Sequence, residues 1–284
     1  MIRLHIALAT GAVVTLVGAA SPAAQAAPAT PTGRILYVQP AGTGGGELRS
    51  VRPGGTGDFG YGVQVPYYPA ADYSADGTRI AYLGPDFFSI YTMSAADGSD
   101  AQHIGDGPCG PSDPQWSPDG TWISFESCGD IYEFKATGAA NGHADIAPGG
   151  DNLSATWNPA GTKVATANEQ VIRTYPADGS GTATTLATLP GAWHLDWSPN
   201  GRTIAVEADG DLWLVNARTG ATTRLTDTPD ATEGNPVWSP DGKWLAYSRA
   251  TSGQTPQIWL ITRGGARAHS TAVAGVPQSW RAAA

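Results

Sequence analysis

An aromatic residue followed by a tight-turn sequence recurs along the whole chain. The aromatic residues are Tyr73, Trp116, Trp157, Trp197, Trp238 and Trp280, and the steps between them are 43, 41, 40, 41 and 42 residues. All but the last open a turn such as Trp116-Ser-Pro-Asp-Gly120. A sustained period of this length with strand-like content is typical of a β-propeller, in which each period forms one four-stranded blade.

Each period also has the parts of a four-stranded antiparallel meander. In the turn, Pro fixes φ at the second position and Gly takes the position that needs a positive φ. The next segment alternates between apolar and other residues, as in residues 121–125 and 243–247, which indicates a strand. An apolar-aromatic pair such as Ile131-Tyr132 marks a third strand. The high content of Gly (37) and Pro (22) fits many strands joined by tight turns, so we predict an all-β fold.

The two ends of the repeat region complete each other. Residues 33–38 resemble a second strand, so the chain begins its first blade without a first strand. Residues 276–280 resemble a first strand that has no blade of its own. Pairing the two would close the ring and remove two exposed sheet edges. We therefore predict a six-bladed β-propeller formed by a single domain over residues 33–284.

Residues 1–26 have the features of a signal peptide. Arg3 supplies a positive charge, residues 6–20 are uncharged and mostly apolar, and Ala24-Gln25-Ala26 is a small-x-small cleavage site. We predict cleavage near Ala26, a flexible leader over residues 27–32, and a secreted, monomeric mature chain without a membrane span. The apolar run is short for a spanning helix.

The chain has two cysteines, Cys109 and Cys128. Export to an oxidising compartment favours a disulfide. Cys109 lies in the connection that enters a first strand, and Cys128 lies between the second and third strands of the same blade, so both fall at one end of the predicted meander. We predict a structural disulfide; a catalytic cysteine is the alternative, but neither residue has a histidine near it in sequence.

Charge and histidine placement limit the classes of function. The formal net charge is −9 and no basic cluster occurs, which argues against a nucleic-acid partner. Asp76, Asp119 and Asp241 each stand alone at a turn, whereas calcium needs six or more oxygens that converge. The histidines have no zinc-ligand spacing. We predict no metal and no cofactor.

A set of polar residues recurs where the chain enters the innermost strands. Three residues before the repeated aromatic lie Asp113, Ser154, His194 and Asn235, and two residues further out lie Asn152 and Glu233. Trp193 lies off the repeat position, and we predict that it is exposed in a loop. Such positions ring one mouth of a propeller channel, so these seven residues are the candidate ligand-binding set. A solvated loop rim is the alternative interpretation.

Residues 114–125 (Pro-Gln-Trp-Ser-Pro-Asp-Gly-Thr-Trp-Ile-Ser-Phe) and 236–247 (Pro-Val-Trp-Ser-Pro-Asp-Gly-Lys-Trp-Leu-Ala-Tyr) resemble the WD-repeat-like repeats of the TolB propeller family. The resemblance covers residues 33–281. It implies a β-propeller and, as in periplasmic TolB, binding of partner proteins. Related propellers gate prolyl oligopeptidase-type peptidases or occur in polysaccharide lyases. We expect this chain to lack the α/β domain that precedes the propeller of TolB.

The sequence therefore predicts a secreted, non-catalytic propeller that binds a protein segment or an envelope glycan at one mouth of the ring. The alternative is an extracellular hydrolase or polysaccharide lyase, in which His194 and an acid such as Asp113 or Glu233 would carry protons. A structural spacer is a third possibility. No nucleophile elbow, phosphate loop or dinucleotide fingerprint occurs in the sequence.

Overall fold

The structure is a computed structural model that describes residues 29–42, 44–66, 69–138, 144–147, 151–180 and 182–282. These residues form six four-stranded antiparallel sheets and no helix, which confirms the predicted six-bladed β-propeller. The predicted signal peptide and the first two leader residues lie outside the described residues. Within the described part of the chain, no helix is long and apolar enough to cross a membrane.

Each blade orders its strands from the ring axis outward. Blade I consists of β24 (Val276–Arg281), β1 (Arg34–Pro40), β2 (Gly45–Val51) and β3 (Phe59–Pro66). Blade II consists of β4 (Ala71–Tyr73), β5 (Arg79–Leu83), β6 (Ser89–Ser94) and β7 (Gln102–Asp106). Blade III consists of β8 (Ser112–Trp116), β9 (Trp122–Ser127), β10 (Asp130–Lys135) and β11 (Ala144–Ala147). Blade IV consists of β12 (Ser154–Trp157), β13 (Lys163–Ala167), β14 (Val171–Pro176) and β15 (Thr184–Thr188). Blade V consists of β16 (Ala192–Trp197), β17 (Thr203–Ala208), β18 (Asp211–Asn216) and β19 (Thr222–Arg224). Blade VI consists of β20 (Ala231–Trp238), β21 (Trp244–Thr251), β22 (Gln257–Thr262) and β23 (His269–Ala274).

The repeated turn has the expected local chemistry. In blade III, Asp119 Oδ1 accepts hydrogen bonds from the Thr121 amide at 3.0 Å and from Ser117 Oγ at 2.7 Å. Gly120 has a φ of 72°, a conformation that a side chain at Cβ would disfavour. The repeated aspartate thus holds the turn closed, and its carboxylate is used within the hairpin.

The recurring tryptophans lie in the core between blades. Trp116, Trp157, Trp197 and Trp238 are between 4% and 9% exposed, which confirms their predicted burial. Two of them also donate to the preceding blade: Trp157 Nε1 to Ser124 Oγ at 2.8 Å, and Trp238 Nε1 to the Asp196 carbonyl at 3.1 Å. Each aromatic therefore fills the space between two sheets.

The ring closes as the two ends of the repeat predicted. Strand β24 pairs antiparallel with β1, with Ile35 opposite Trp280 and Val38 opposite Val276. The register shifts between Leu36 and Tyr37. The last strand of the chain is thus the innermost strand of the first blade.

The leader residues that are described contact the propeller. The Ala29 carbonyl accepts a hydrogen bond from Trp244 Nε1 at 3.1 Å, and the Thr32 carbonyl accepts one from Trp280 Nε1 at 2.9 Å. The segment Ala29–Thr32 therefore lies across the joint between blades VI and I.

The predicted disulfide is confirmed. Cys109, between β7 and β8, is bonded to Cys128, between β9 and β10, and their Cα atoms lie 5.4 Å apart. The Cys109 amide also donates to Ser127 Oγ at 3.0 Å. The bond ties the chain segment that enters blade III to that blade's second hairpin.

Candidate functional site

A cavity of about 190 Å³ lies on the ring axis, where first-strand residues of all six blades meet. Four of the seven predicted site residues line it: Asp113, Ser154, His194 and Asn235. They come from four successive blades, as expected from their common offset to the repeated aromatic. The structure thus brings together the residues at this offset.

Three of these residues sit in bulged backbone. Asp113, His194 and Asn235 have φ values of 51°, 32° and 51°, and the register of each strand with its neighbour shifts at that point. A β-bulge bends its strand and redirects side chains. The repeated bulge therefore helps to turn these polar groups toward the channel.

The other three predicted residues do not line the cavity. Asn152 is fully buried and its amide joins the Ala147 carbonyl to Thr166 Oγ1 at 2.9 and 2.8 Å. Glu233 is 2% exposed and accepts from Thr228 Oγ1 at 3.0 Å. Trp193 is partly buried within β16, so its predicted position in a loop is wrong. Strands β16 and β20 begin earlier than the sequence indicated, so Trp193 and Glu233 lie within strands.

The sequence reasoning missed the residues directly before the repeated aromatic. Those that line the cavity include Asp72, Gln115, Asp196 and Ser279. Residues one and three positions before the aromatic lie on the same side of a strand, so the period of two was the signal that could have identified them. Two of the missed residues are aspartates, which makes the channel more acidic than the predicted set implied.

Several channel side chains join neighbouring blades. Each accepts a hydrogen bond from the backbone amide of the next repeated aromatic: Asp72 from Trp116 at 2.8 Å, Thr156 from Trp197 at 3.2 Å, Asp196 from Trp238 at 2.5 Å, and Ser279 from Tyr73 at 3.3 Å. In addition, both oxygens of Asp113 accept hydrogen bonds, from Ser154 Oγ and the Ala155 amide at Oδ2 and from Gln115 at Oδ1. The polar lining thus also holds the ring together.

Burial raises the pKa of all three channel aspartates, and repulsion between carboxylates adds to the effect for Asp72 and Asp196. Burial, with a contribution from Asp113, raises the pKa of Asp72 to about 7. Burial raises the pKa of Asp196 to about 8, and the charges of Asp72 and Asp113 act in the same direction. Burial also raises the pKa of Asp113, against the effects of the Ala155 amide and His194. No Lys or Arg is among the described residues that line the cavity.

His194 belongs to a hydrogen-bonded chain at the mouth. Trp193 Nε1 donates to His194 Nε2 at 2.6 Å, and His194 Nδ1 lies 2.7 Å from Glu207 Oε2. Since an indole N–H can only donate, Nε2 is the acceptor and Nδ1 carries the proton toward Glu207. The backbone amide of Asn235 donates to the same Glu207 oxygen at 3.0 Å. Glu207 therefore fixes the orientation of two predicted mouth residues.

The face of the ring around this mouth is acidic. It carries the connections between second and third strands and between each blade and the next, and their described residues include no Lys or Arg. The acidic residues in these connections are Asp86, Asp151, Glu169, Asp209, Asp227 and Asp230. The connections on the opposite face include Arg52, Arg202, Arg218, Lys243, Arg263 and Arg267 among acidic residues. We call the acidic side the mouth face.

These features define the class: a closed six-bladed propeller with a polar, acidic central channel. The fold is that of TolB propellers. The chain superposes on TolB from Acinetobacter baumannii with a TM-score of 0.71 and 20% identity, over 87% of this chain and 66% of that chain. For a putative TolB from Agrobacterium tumefaciens the TM-score is 0.67 at 17% identity, over 88% and 92% of the two chains.

Curated sequences give likenesses over a smaller part of the chain. The chain is 28% identical over 163 residues to an uncharacterized protein of Agrobacterium fabrum. The match covers 52% of this chain and 53% of that protein. It is 27% identical over 198 residues to YuxL, an uncharacterized peptidase of Bacillus subtilis. This match covers 62% of this chain and 28% of that protein. The chain thus spans about half of the first relative and just over a quarter of the second. No family model matches the chain.

The raised pKa of Asp196 leads to a prediction about stability. The carboxyl has a pKa of about 8 in the folded chain and an ordinary value of 3.8. The folded state therefore binds the extra proton between these values, and the stability it gives is lost as the pH rises through about 8. The measured quantity is the melting temperature of Asp196→Asn minus that of the parent. We expect this difference to be at least about 3 °C greater at pH 9 than at pH 4.

A turn aspartate is the matched control for that measurement. Hydrogen bonds from Ser74 and Thr78 lower the pKa of Asp76, so Asp76→Asn is expected to lose stability relative to the parent as the pH rises from 2 to 6. Thermal melts followed by circular dichroism over the pH range give both series. A difference in melting temperature between Asp196→Asn and the parent that does not change with pH would contradict the raised pKa of Asp196.

Proposed function

We propose that the chain is an extracytoplasmic binding protein that holds a segment of a partner protein at the mouth of its channel. The observation that carries the proposal is the acidic cavity on the ring axis, which has polar side chains from several blades and no cation among its described lining residues. A basic side chain or a peptide terminus would complement that charge. TolB propellers, with the same fold, support a role in protein binding.

The size of the cavity favours a protein segment over a glycan. A volume of about 190 Å³ is below the range of about 300–1,000 Å³ typical of small-molecule sites. It accommodates one inserted side chain, whereas a sugar chain would have to bind outside it. The adjoining mouth face, with its excess of acidic residues, extends the surface that a basic segment would contact.

Two features support export. The predicted signal peptide would direct the chain out of the cytoplasm, and the bond between Cys109 and Cys128 is of a kind that persists in oxidising compartments. We propose that the mature chain begins near Ala27 and acts as a monomer outside the cytoplasm.

The geometry of His194 gives the hydrolase or lyase alternative less support. Its Nε2 lone pair accepts the Trp193 N–H, so a general base would first have to break that hydrogen bond. Of the two acids considered as partners, Asp113 is engaged with blade IV and Glu233 lies away from the cavity, hydrogen-bonded to Thr228. The observed partner of His194 is Glu207.

Binding at the mouth can be tested with defined probes. The purified mature chain would be titrated with short fluorescent peptides of graded net charge and, in parallel, with soluble peptidoglycan fragments. We expect basic peptides to bind and the double variant His194→Ala, Asp196→Asn to bind them at least about tenfold more weakly, because it removes an imidazole and a carboxyl group that line the cavity.

Asp97→Asn provides the control, because it removes one charge from an exposed turn on the opposite face, away from the cavity. It should bind as the parent does. Affinity that is unchanged in the double variant, or selective capture of peptidoglycan fragments alone, would overturn the proposal of a protein segment at the mouth.

A further inference from the structure

A second concave surface lies between blades III and IV, on the face opposite the mouth. We call it the III–IV groove; its volume is about 730 Å³. Trp122 at the start of β9 and Trp157 at the end of β12 form its aromatic walls. Its other lining residues include Pro118, Pro159, Pro176, Asp119 and Asp178. The groove is separate from the central cavity and shares no lining residue with it.

Glu133, in β10, lines this groove with an unusual side chain. It is only 8% exposed, yet it forms no hydrogen bond and no ion pair with any residue that the structure describes. Burial, with a smaller effect of Asp119, raises its pKa to about 7. A buried carboxylate is costly unless it is paired, so an unpaired one in an open groove indicates a missing cationic partner.

Blades I and II have a different pair of residues at the positions of Glu133 and Trp122. The equivalent residues on the third strands of blades I and II are Ser50 and Thr92, and each accepts a hydrogen bond from an arginine that begins the second strand. Arg34 Nε donates to Ser50 Oγ at 3.0 Å, and Arg79 Nη2 to Thr92 Oγ1 at 2.9 Å. In blade III the arginine position is occupied by Trp122. Blade III thus has an anion where blades I and II have a hydroxyl, and an aromatic ring where they have a cation.

A lysine of the same blade, Lys135, is not the cationic partner of Glu133. Lys135 Nζ lies 5.7 Å from the centre of the Trp122 ring, on an exposed side chain. It forms no ion pair with Glu133 among the described residues. Its position shows that a cation can lie against Trp122 without reaching the carboxylate.

The joint between blades VI and I shows how a peptide occupies an equivalent groove. Trp244 corresponds to Trp122 and Trp280 to Trp157 in the repeat. At that joint the leader segment Ala29–Thr32 covers both indoles, and its carbonyls accept their N–H groups at 3.1 and 2.9 Å. Trp244 is accordingly only 3% exposed.

The III–IV groove has the same pair of tryptophans without a covering segment in the described chain. Trp122 is partly exposed, and its indole N–H has no hydrogen-bond partner among the described residues. Trp157 differs, because its N–H is already used by Ser124. One indole donor and one buried carboxylate are therefore available to a ligand.

We propose that the III–IV groove is a second binding surface, which holds an extended segment of a partner protein with a lysine or arginine side chain on Glu133. A backbone carbonyl of the segment accepts the Trp122 N–H, as the Ala29 carbonyl accepts that of Trp244. The cationic side chain lies along the aromatic walls and ends on the carboxylate. The chain's own leader, Ala29-Thr-Pro-Thr32, has no cation to place there.

The test uses the full mature chain and a matched set of synthetic peptides. The parent peptide repeats the leader sequence Ala-Thr-Pro-Thr, and its partners carry lysine, norleucine or glutamate after the second threonine. Binding is followed by fluorescence anisotropy of the labelled peptide. We expect the lysine peptide to bind and the norleucine and glutamate peptides to bind at least about tenfold more weakly, since they lack the charge-assisted hydrogen bond.

Two variants locate the site. Glu133→Gln should weaken binding of the lysine peptide about tenfold or more and remove its preference over norleucine. Trp122→Phe, which keeps an aromatic ring and removes the N–H, should weaken binding of all the peptides by about fivefold. Because Glu133 has no hydrogen-bond or ion-pair partner among the described residues, Glu133→Gln should fold at least as stably as the parent, and its melting temperature checks this.

Asp97→Asn is the control, since it removes a charge from the turn between the third and fourth strands of blade II. That turn lies on the same face of the ring as the III–IV groove. It should leave the affinity unchanged. Equal affinity of the lysine and norleucine peptides, no binding of any peptide, or unchanged affinity in Glu133→Gln would overturn the proposal. Loss of binding in Asp196→Asn with retention in Glu133→Gln would place the peptide in the channel instead.

Discussion

Removal of residues 276–284 is expected to destroy the closed ring and to lower the free energy of unfolding by about 5 kcal/mol or more. The deletion removes β24, the whole backbone ladder with β1, and the buried side chains of Val276 and Trp280. Burial of such side chains contributes about 1.5–3 kcal/mol each, and each ladder hydrogen bond adds about 1 kcal/mol.

The same deletion would remove hydrogen bonds that join blade I to blade II. Gln278 Oε1 accepts from the Ala70 amide at 2.8 Å, and Ser279 Oγ donates to Asp72 Oδ1 at 2.6 Å. Without these partners one oxygen of the Asp72 carboxylate and the buried Ala70 amide would lose their hydrogen bonds. The edge of β1 would also be exposed and could pair with another chain.

Circular dichroism melts and size-exclusion chromatography measure the effect. A shorter deletion, of residues 282–284, is the control because it leaves β24 intact, and it should melt like the parent. A synthetic peptide of residues 276–284 should restore part of the lost stability when added to the truncated chain. A truncated chain with an unchanged melting temperature would show that β24 does not close the ring.

The second large effect is expected for the disulfide. The double variant Cys109→Ala, Cys128→Ala should lose about 3 kcal/mol of unfolding free energy, because the bond closes a loop with a sequence separation of 19 residues. For a domain of this size that corresponds to a fall of about 6–12 °C in melting temperature. The region most affected should be the connection into β8, which positions Asp113 at the mouth.

A reducing agent provides the comparison. Dithiothreitol should lower the melting temperature of the parent toward that of the double variant and leave the double variant unchanged. If the parent and the double variant melt together without reductant, the bond contributes nothing to the folded chain.

The local repeat was enough to predict the propeller and its closure. Turn chemistry such as that of residues 116–120 acts over a few residues, so the sequence carries it directly. The aromatic spacing and the incomplete ends at residues 33–38 and 276–280 then determined the number of blades. The disulfide followed from the same topology, because the meander places Cys109 and Cys128 at one end of a blade.

The site was predicted only in part. The offset of three residues before the aromatic located Asp113, Ser154, His194 and Asn235, which do line the channel. Glu233 lies only two residues from Asn235 in sequence, but its side chain packs within the blade instead of reaching the channel. Which polar side chain reaches the axis depends on bulges and packing, and a repeat pattern does not specify these.

By itself, the sequence determined the all-β class, the six blades and the pairing of the two ends, because each rests on contacts within one period or on a regular count of periods. Tertiary structure alone decided which charges meet. The hydrogen bonds of Asp72 and Asp196 join residues 44 and 42 positions apart. Glu133 has no partner among the described residues, and Trp122 stands where blades I and II have an arginine. The interaction energy of such groups depends on distance and burial, which exist only once the blades have packed.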